Sequence, residues 1–267
     1  MLIDAHAHLD HYDNPREALL DIDHHRIFTI ANSMDPLSYD RNLALARESA
    51  LVLPTFGIHP KRAPGYSDRL REFRSLVDQS PMLGELGLDF HWVKDSAAYP
   101  DQIEVFEFLV EAGASKGKII NLHTKGAEQR ILDTLIAYNV AKVIIHWYSG
   151  PLDVLEKLID KGYLFTIGVE ILYSEKIREI ARTIPAHQLL TETDNPGGYR
   201  WLAGEVALPS IVSRVVEKLA ELKGISSDAL ESLVQTNLLR LVANDPRLAA
   251  VTELLGGGTN KATLARA

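Results

Sequence analysis

His6, His8, Glu85, His123, His146 and Asp194 are side chains of metal-ligand type, and each stands where a short apolar run gives out. Cysteine is absent, so imidazole and carboxylate are the donors this chain can offer a divalent cation. Alternate residues of a strand point to one side, so His6 and His8 present two imidazoles on one face about 7 Å apart. Glu85 lies in Gly84-Glu85-Leu86-Gly87-Leu88-Asp89-Phe90, where the glycines let backbone or a cation approach closely. A buried carboxylate without a partner is costly, and ligation to one or two cations removes that cost; capping a neighbouring helix is the alternative use. His123 and His146 close the apolar runs Ile119-Ile120-Asn121-Leu122 and Val143-Ile144-Ile145. Either ring alone is more commonly a hydrogen-bonded core histidine. Asp194 ends Leu189-Leu190-Thr191-Glu192-Thr193-Asp194, and Glu192 points the same way by period two, which suits it to support a ligand. Such a set fits hydrolysis: bound cations lower the pKa of a water, and an acid such as Asp194 takes its proton.

Donors this far apart in sequence meet only if the fold gathers strand ends. Eight β-type runs recur, Leu2 to Ala5, Ile27 to Ala31, Val52 to Ile58, Met82 to Leu88, Lys118 to Leu122, Lys142 to Ile145, Tyr163 to Ile167 and Gln188 to Glu192. Helical patterns separate them, as in Asp101 to Lys116 with Ile103, Phe106, Leu109 and Val110 on one face. Strand and helix in alternation imply parallel pairing, and eight strands close a barrel, so the expected fold class is α/β, a TIM (β/α)8-type barrel in a single domain. In such a barrel the C-terminal strand ends share one face. The last strand lies beside the first, which brings Asp194 to His6 and His8, while adjacent strands bring His123 to His146 as ligands of a second metal.

Helix starts are expected at Asp68, at Ser149-Gly150-Pro151 and at Ser226, with breaks at Gly117, Gly162 and Gly224. Two amphipathic stretches, Pro209 to Lys223 and Ser227 to Ala243, are expected to finish the outer ring. The barrel is expected over 1–255, followed by a flexible C-terminal tail over 256–267 that opens with Gly256-Gly257-Gly258.

Hydrophobic residues make up 46% of the 267 positions and charged ones 24%, which excludes disorder for most of the chain. A net charge of −8 argues against a broad basic surface that grips nucleic acid. A local anion site remains open, because two divalent cations outweigh Glu85, Asp194 and one hydroxide, and exposed charges are screened beyond about 10 Å. There is no basic and then apolar leader, and no apolar run nears the roughly 18 residues of a membrane span. A cytoplasmic location is therefore expected, with no membrane and no obligate protein partner.

The motifs together resemble the TatD family of metal-dependent hydrolases and deoxyribonucleases, within the amidohydrolase-like barrels. The resemblance rests on Asp4-Ala5-His6-Ala7-His8-Leu9-Asp10, Gly57-Ile58-His59-Pro60, the Gly84 to Phe90 stretch, Leu122-His123-Thr124-Lys125, His146-Trp147-Tyr148-Ser149-Gly150 and Glu192-Thr193-Asp194-Asn195-Pro196, with Asn237 and Arg240-Leu241 near the end. It implies that His6, His8, Glu85 and Asp194 bind one divalent metal, that Glu85, His123 and His146 bind the other, and that Glu85 bridges them. It also implies that His59 works near the substrate phosphate. Two departures stand out. Lys61 follows Gly-x-His-Pro where the family often has a second histidine, and Lys holds phosphate as a point charge but does not shuttle protons at neutral pH. Gly197-Gly198-Tyr199-Arg200-Trp201 also differs from the common continuation.

The leading expectation is a two-metal phosphodiesterase on single-stranded DNA, attacked from an end, with Asp194, Glu85 and His59 as catalytic residues. Magnesium or manganese suits carboxylate and water, whereas four imidazoles suit zinc. His59, Lys61, Lys125 and Trp147 are the candidate substrate-binding residues, and Trp92, Trp147 and Tyr148 sit where aromatic faces could stack on unpaired bases or equally pack under a loop. The alternative is a hydrolase of small esters, lactones, amides or aminoacyl esters, since the same activated water attacks a carbonyl. A third reading is a metal-holding scaffold without catalysis. His11, His24, His25 and His187 are taken as structural, Arg200 as a possible phosphate neutraliser, and His91 is left open between the two roles.

Overall fold

A computed structural model describes residues 1–257 of the chain, so 258–267 of the expected tail lie outside the described residues. The strands are β1 (Leu2–Ala7), β2 (Ile27–Asn32), β3 (Val52–Thr55), β4 (Leu83–Asp89), β5 (Ile120–Lys125), β6 (Val143–His146), β7 (Leu164–Ile167) and β8 (Leu189–Thr191). Nearly every strand residue is buried, as expected where helices cover the outside and side chains fill the inside. All neighbouring pairs run parallel, β1-β2-β3 in one ladder and β4-β5-β6-β7-β8 in another. This is the α/β order of a TIM-type barrel, with two seams.

Each seam is sewn by a few bonds instead of a full ladder. Between β3 and β4, Phe56 bridges to Leu83, and the Gly84 amide donates to the Phe56 carbonyl at 2.8 Å. Between β8 and β1, the Asp194 amide donates to the His6 carbonyl at 2.9 Å, and the His8 amide to the Asn195 carbonyl at 2.8 Å. Asp4 completes this second seam, accepting from the Thr193 amide at 2.9 Å and its hydroxyl at 2.7 Å. The tips of the first and last strands are thereby fixed against each other.

Helices cover the strands, among them Pro15–His25, Pro36–Ala46, Tyr99–Ser115, Glu128–Ala137, Leu152–Asp160 and Glu175–Thr183. The expected closing pair is present as Val212–Lys223, preceded by a 3-10 turn at Pro209–Ile211, and Ser227–Val242. Ser226 caps the latter by accepting from the Ala229 amide, and Gly224 ends the former with φ +67.

Three local expectations differ. The third run stops as a strand at Thr55, because β3 meets β4 through a single bridge and loses its ladder there. Asp68 opens no α-helix; it lies in a kinked 3-10 segment, Ser67–Phe73, whose Arg69 has non-helical backbone, and the α-helix starts at Arg74. Gly256, assigned to the tail, is the last residue of the helix Ala249–Gly256. Among the described residues no helix is long and apolar enough to cross a membrane.

Candidate metal centre

Glu85, 1% exposed, sits at the middle of the barrel mouth with imidazoles around it. Its Oε2 lies 3.5 Å from His6 Nε2 and 3.2 Å from His8 Nε2. Its Oε1 lies 2.8 Å from His123 Nδ1, 3.6 Å from His59 Nε2 and 3.9 Å from His146 Nε2. Asp194 Oδ1 approaches His8 Nε2 at 3.3 Å and His6 Nε2 at 3.9 Å. All six residues singled out as donors are therefore gathered at one place. Their partition is less separate than expected, because the His6 and His146 rings stack with centroids 3.7 Å apart, so His146 joins His6 and Glu85 in one possible cluster.

The backbone at Glu85 is packed too tightly for any side chain but hydrogen at its neighbours. A Cβ on Gly57 would overlap the Glu85 backbone, and one on Gly87, whose φ is +151, would overlap the His123 carbonyl. Gly57 and Gly87 thus admit neighbouring strands. This close packing aims the carboxylate inward.

What each ring does with its outer nitrogen fixes which nitrogen faces Glu85. His6 Nδ1 lies 3.0 Å from Asn121 Oδ1, and the Asn121 amide nitrogen donates to the Ala5 carbonyl, so the amide oxygen is the one that faces His6. His8 Nδ1 donates to the Asn32 carbonyl at 2.9 Å. His146 Nδ1 and Glu192 Oε2, 2.7 Å apart, share a proton, and His123 Nε2 lies 3.3 Å from Asp89 Oδ2. With an acceptor behind each ring, the lone pair of the other nitrogen points at the centre, which is the arrangement a metal ligand needs. His59 is the reverse case: its Nδ1 accepts from the Lys61 amide at 3.1 Å, leaving Nε2–H toward Glu85. Position alone would group His59 with Glu85 and His123 as ligands. Its tautomer makes it a donor.

The electrostatics ask for positive charge. Burial alone would push the Glu85 carboxyl up, but the His59 and His6 imidazoles and the His123 hydrogen bond hold it well below the ordinary range. Asp194 is held down in the same way, burial being outweighed by the His8 hydrogen bond and the charge of His146. His8 goes well above its usual value: burial opposes this, and bonds to Asp194 and Glu85 override it. Burial drives His59 and His146 well below theirs, with His123 adding to the effect on the first and His6 on the second. Burial also pushes Glu192 up to about 8. His6 Nε2 and Glu85 Oε2 are fully buried with no hydrogen-bond partner. Two orphaned lone-pair atoms, one nitrogen and one oxygen, facing one point in a cage that draws protons onto His8 fit a divalent cation.

The centre opens into a cavity of about 1240 Å³. Lys61, Lys125, Trp147 and His91 line it, as does His11, whose ring stacks on His8 at 5.3 Å although its sequence position marked it as structural. Lys125 is tied back, donating to the Trp147 carbonyl at 2.7 Å and to Ser149 Oγ at 2.8 Å. Tyr148 is buried, its hydroxyl bonded to the Pro151 carbonyl at 2.6 Å, so it packs under the loop. Arg200 reaches Asp13 at 3.8 Å on the surface. His24 and His25 close the Pro15–His25 helix, and His187 sits in a 3-10 turn before β8.

Asp89, Asn121, Asn32 and Glu170 were not singled out as site residues. Asp89 and Asn121 were findable by extending period two along their strands, Asp89 outward from Glu85 and Asn121 inward from His123. Asn32 acts through its carbonyl, and Glu170 accepts from Trp147 Nε1 at 2.5 Å after a chain reversal, so neither left a pattern in the sequence.

The family profile described as TatD related DNase matches residues 3–243. The uncharacterized metal-dependent hydrolase MJ1582 of Methanocaldococcus jannaschii is 24% identical over 241 residues, covering 88% of this chain and 94% of that protein. The human protein named deoxyribonuclease TATDN3 is 23% identical over 260 residues, covering 90% and 94%. Among solved structures, the TatD homolog YJJV of Escherichia coli superposes with a TM-score of 0.81 at 22% identity, covering 90% of this chain and 97% of that one. The matched span contains all six gathered donors, and the chain belongs to the TatD family of metal-dependent hydrolases.

Proposed function

We propose that the chain is a phosphodiesterase acting on single-stranded DNA with two divalent cations at the Glu85 centre. The observation that carries this reading is Glu85 itself, whose Oε2 lies nearest His6 and His8 and whose Oε1 lies nearest His123, with His59 and His146 further out. His6, His8 and Asp194 would hold one cation and His123 and His146 the other, with Glu85 between them. Bound there, such cations supply Lewis acidity that lowers the pKa of a water and offsets phosphate charge.

The chain's own groups do the remainder. Asp194, held ionised and with its side chain 21% exposed toward the cavity, takes the proton from the attacking water. His59, neutral, presents Nε2–H to a phosphate oxygen, and Lys61 adds positive charge at the rim. Glu192 and Asn121 keep His146 and His6 turned inward. A TatD relative named as a deoxyribonuclease supports phosphorus over carbonyl carbon.

The test strips the protein of metal, reloads magnesium, manganese or zinc, and compares rates on labelled single-stranded DNA, RNA and carbonyl esters. Metal-dependent DNA cleavage that falls at least about 100-fold in Asp194→Asn is expected for loss of a general base. Carbonyl hydrolysis without DNA cleavage would establish the ester, lactone or amide alternative in its place.

A further inference from the structure

The chain has three tryptophans, and all three line the cavity above the Glu85 centre. Each comes from a different strand-end loop: Trp92 follows β4, Trp147 follows β6, and Trp201 lies in the helix Gly197–Ala203 after β8. Trp201 joins the other two edge-to-face, its ring centroid 5.7 Å from that of Trp92 and 6.1 Å from that of Trp147. The result is one continuous aromatic wall beside the donors.

The wall is fixed at its base and open at its top. Trp147 is buried and pinned, its Nε1–H bonded to Glu170 at 2.5 Å and its amide to Thr166 Oγ1 at 3.1 Å. The Lys125 ammonium stands 5.7 Å from its ring centre. Trp92 and Trp201 are 47% and 58% exposed. The Trp92 loop is held by Asp89, whose Oδ1 accepts from the amides of His91 and Trp92 at 3.1 and 2.6 Å, while its Oδ2 faces His123. The helix bearing Trp201 starts just after Asp194, and the Gly198 amide donates to the Asp194 carbonyl at 2.6 Å. A Cβ on Gly198 would stand 3.1 Å from both the Trp147 ring and Asp194 Cβ, so helix, wall and donor pack as one unit. Exposed indole faces cost free energy in water, and every nucleobase has a π-face that can cover them.

We infer that this wall is a nucleobase subsite, on which an unpaired base next to the phosphodiester at the Glu85 centre stacks on the exposed face of Trp201, with Trp92, set at 79° to it, closing the side of the subsite. The inference rests on the phosphodiesterase reading and adds the feature that selects unpaired strands: a base inside a duplex has both faces covered by its neighbours. Trp147 is the positioning residue of the wall, Trp201 its stacking face and Trp92 its flank.

The test uses the metal-loaded, full-length protein and a phosphorothioate-linked tetrathymidylate that resists hydrolysis, with an abasic strand of equal length and charge. Because every tryptophan of the chain lies in the wall, intrinsic fluorescence reports its occupancy directly. The tetrathymidylate is expected to quench that fluorescence saturably and to bind about 5- to 100-fold tighter than the abasic strand, the range of one stacked base. Trp201→Ala and Trp92→Ala should each bring that ratio toward one, and Trp201→Phe should keep part of it. Both residues are well exposed, so their loss does not hollow the core. Equal affinity of the two strands with no quenching overturns the wall as a base site, even if both strands in phosphodiester form are cleaved and the phosphodiesterase reading stands. If no phosphodiester is cleaved and neither strand binds, the phosphodiesterase reading itself has failed and this inference falls with it.

Discussion

Glu192 Oε2 stands 2.7 Å from His146 Nδ1, a contact between a carboxylate just beyond β8 and an imidazole at the end of β6, both inside the barrel. A carboxylate behind a ligand ring fixes its tautomer and raises its basicity. Glu192→Gln keeps the volume and an acceptor but cannot supply the negative charge that the carboxyl, pushed up to about 8 by burial, gains on losing its proton. A divalent ion should then bind about 10- to 100-fold more weakly. Competition against a chromophoric chelator measures this, and an unchanged affinity would mean that the carboxyl behind His146 does not tune the centre.

Asn121 supports His6 in the same way, with an amide oxygen 3.0 Å from Nδ1 and an amide nitrogen 2.9 Å from the Ala5 carbonyl. Asn121→Ala leaves a buried ring nitrogen and a buried carbonyl unpaired, at a cost of about 1–3 kcal/mol for each such group. Denaturant unfolding should show a loss of about 2–6 kcal/mol for the two together. Metal affinity should fall as well, since His6 is then free to present N–H to the centre. Asn121→Asp keeps an acceptor for the ring and loses the donor to Ala5, so it should restore affinity more than stability.

These two supports mark the boundary between what the sequence pattern reveals of the site and what only packing does. Parallel strands covered on both faces give dense apolar runs, so all eight strands stood out, and the donors stood at their ends. Inside the barrel the period of two continues inward, which puts Asn121 under His123 and Asp4 under His6 on one face. The motif shows Asp4 but not its setting, in which burial pushes its carboxyl up to about 7 against the opposing bonds from Thr193. Trp201 was beyond this logic. It sits on a helix after the chain reverses at Pro196, and only packing through Gly198 brings it beside Trp147. The seams were also invisible, because which neighbours form a ladder depends on contacts across the barrel.

Gly57 tests the claim that backbone packing aims Glu85. Its missing side chain makes room for the Glu85 peptide, and that neighbour cannot give way as a flexible side chain would. Gly57→Ala should cost about 1–3 kcal/mol through overpacking and lower Tm by roughly 3–10 °C. It should weaken metal binding in parallel, since the carboxylate moves with its backbone. Gly65→Ala, where nothing lies within 4 Å, is the matched control and should change neither.

Lys118 offers a pH test away from the centre. The residue is 2% exposed, and its ammonium donates to the backbone carbonyls of Ser80 and Asp78 below the sheet. Burial, with Arg247 nearby, lowers its pKa from 10.5 to about 8. The unfolded chain therefore holds this proton more tightly than the folded one between those values, and stability contributed by this residue rises as pH rises from about 8 toward 10.5. Below that window the folded state carries the full cost of a buried charge. Lys118→Met has no such proton, so the difference in Tm, wild type minus variant, should grow in favour of wild type between pH 7.5 and pH 10, on the order of a few degrees. A difference that stays flat across the window would show that the ammonium keeps its proton as readily in the fold as in water.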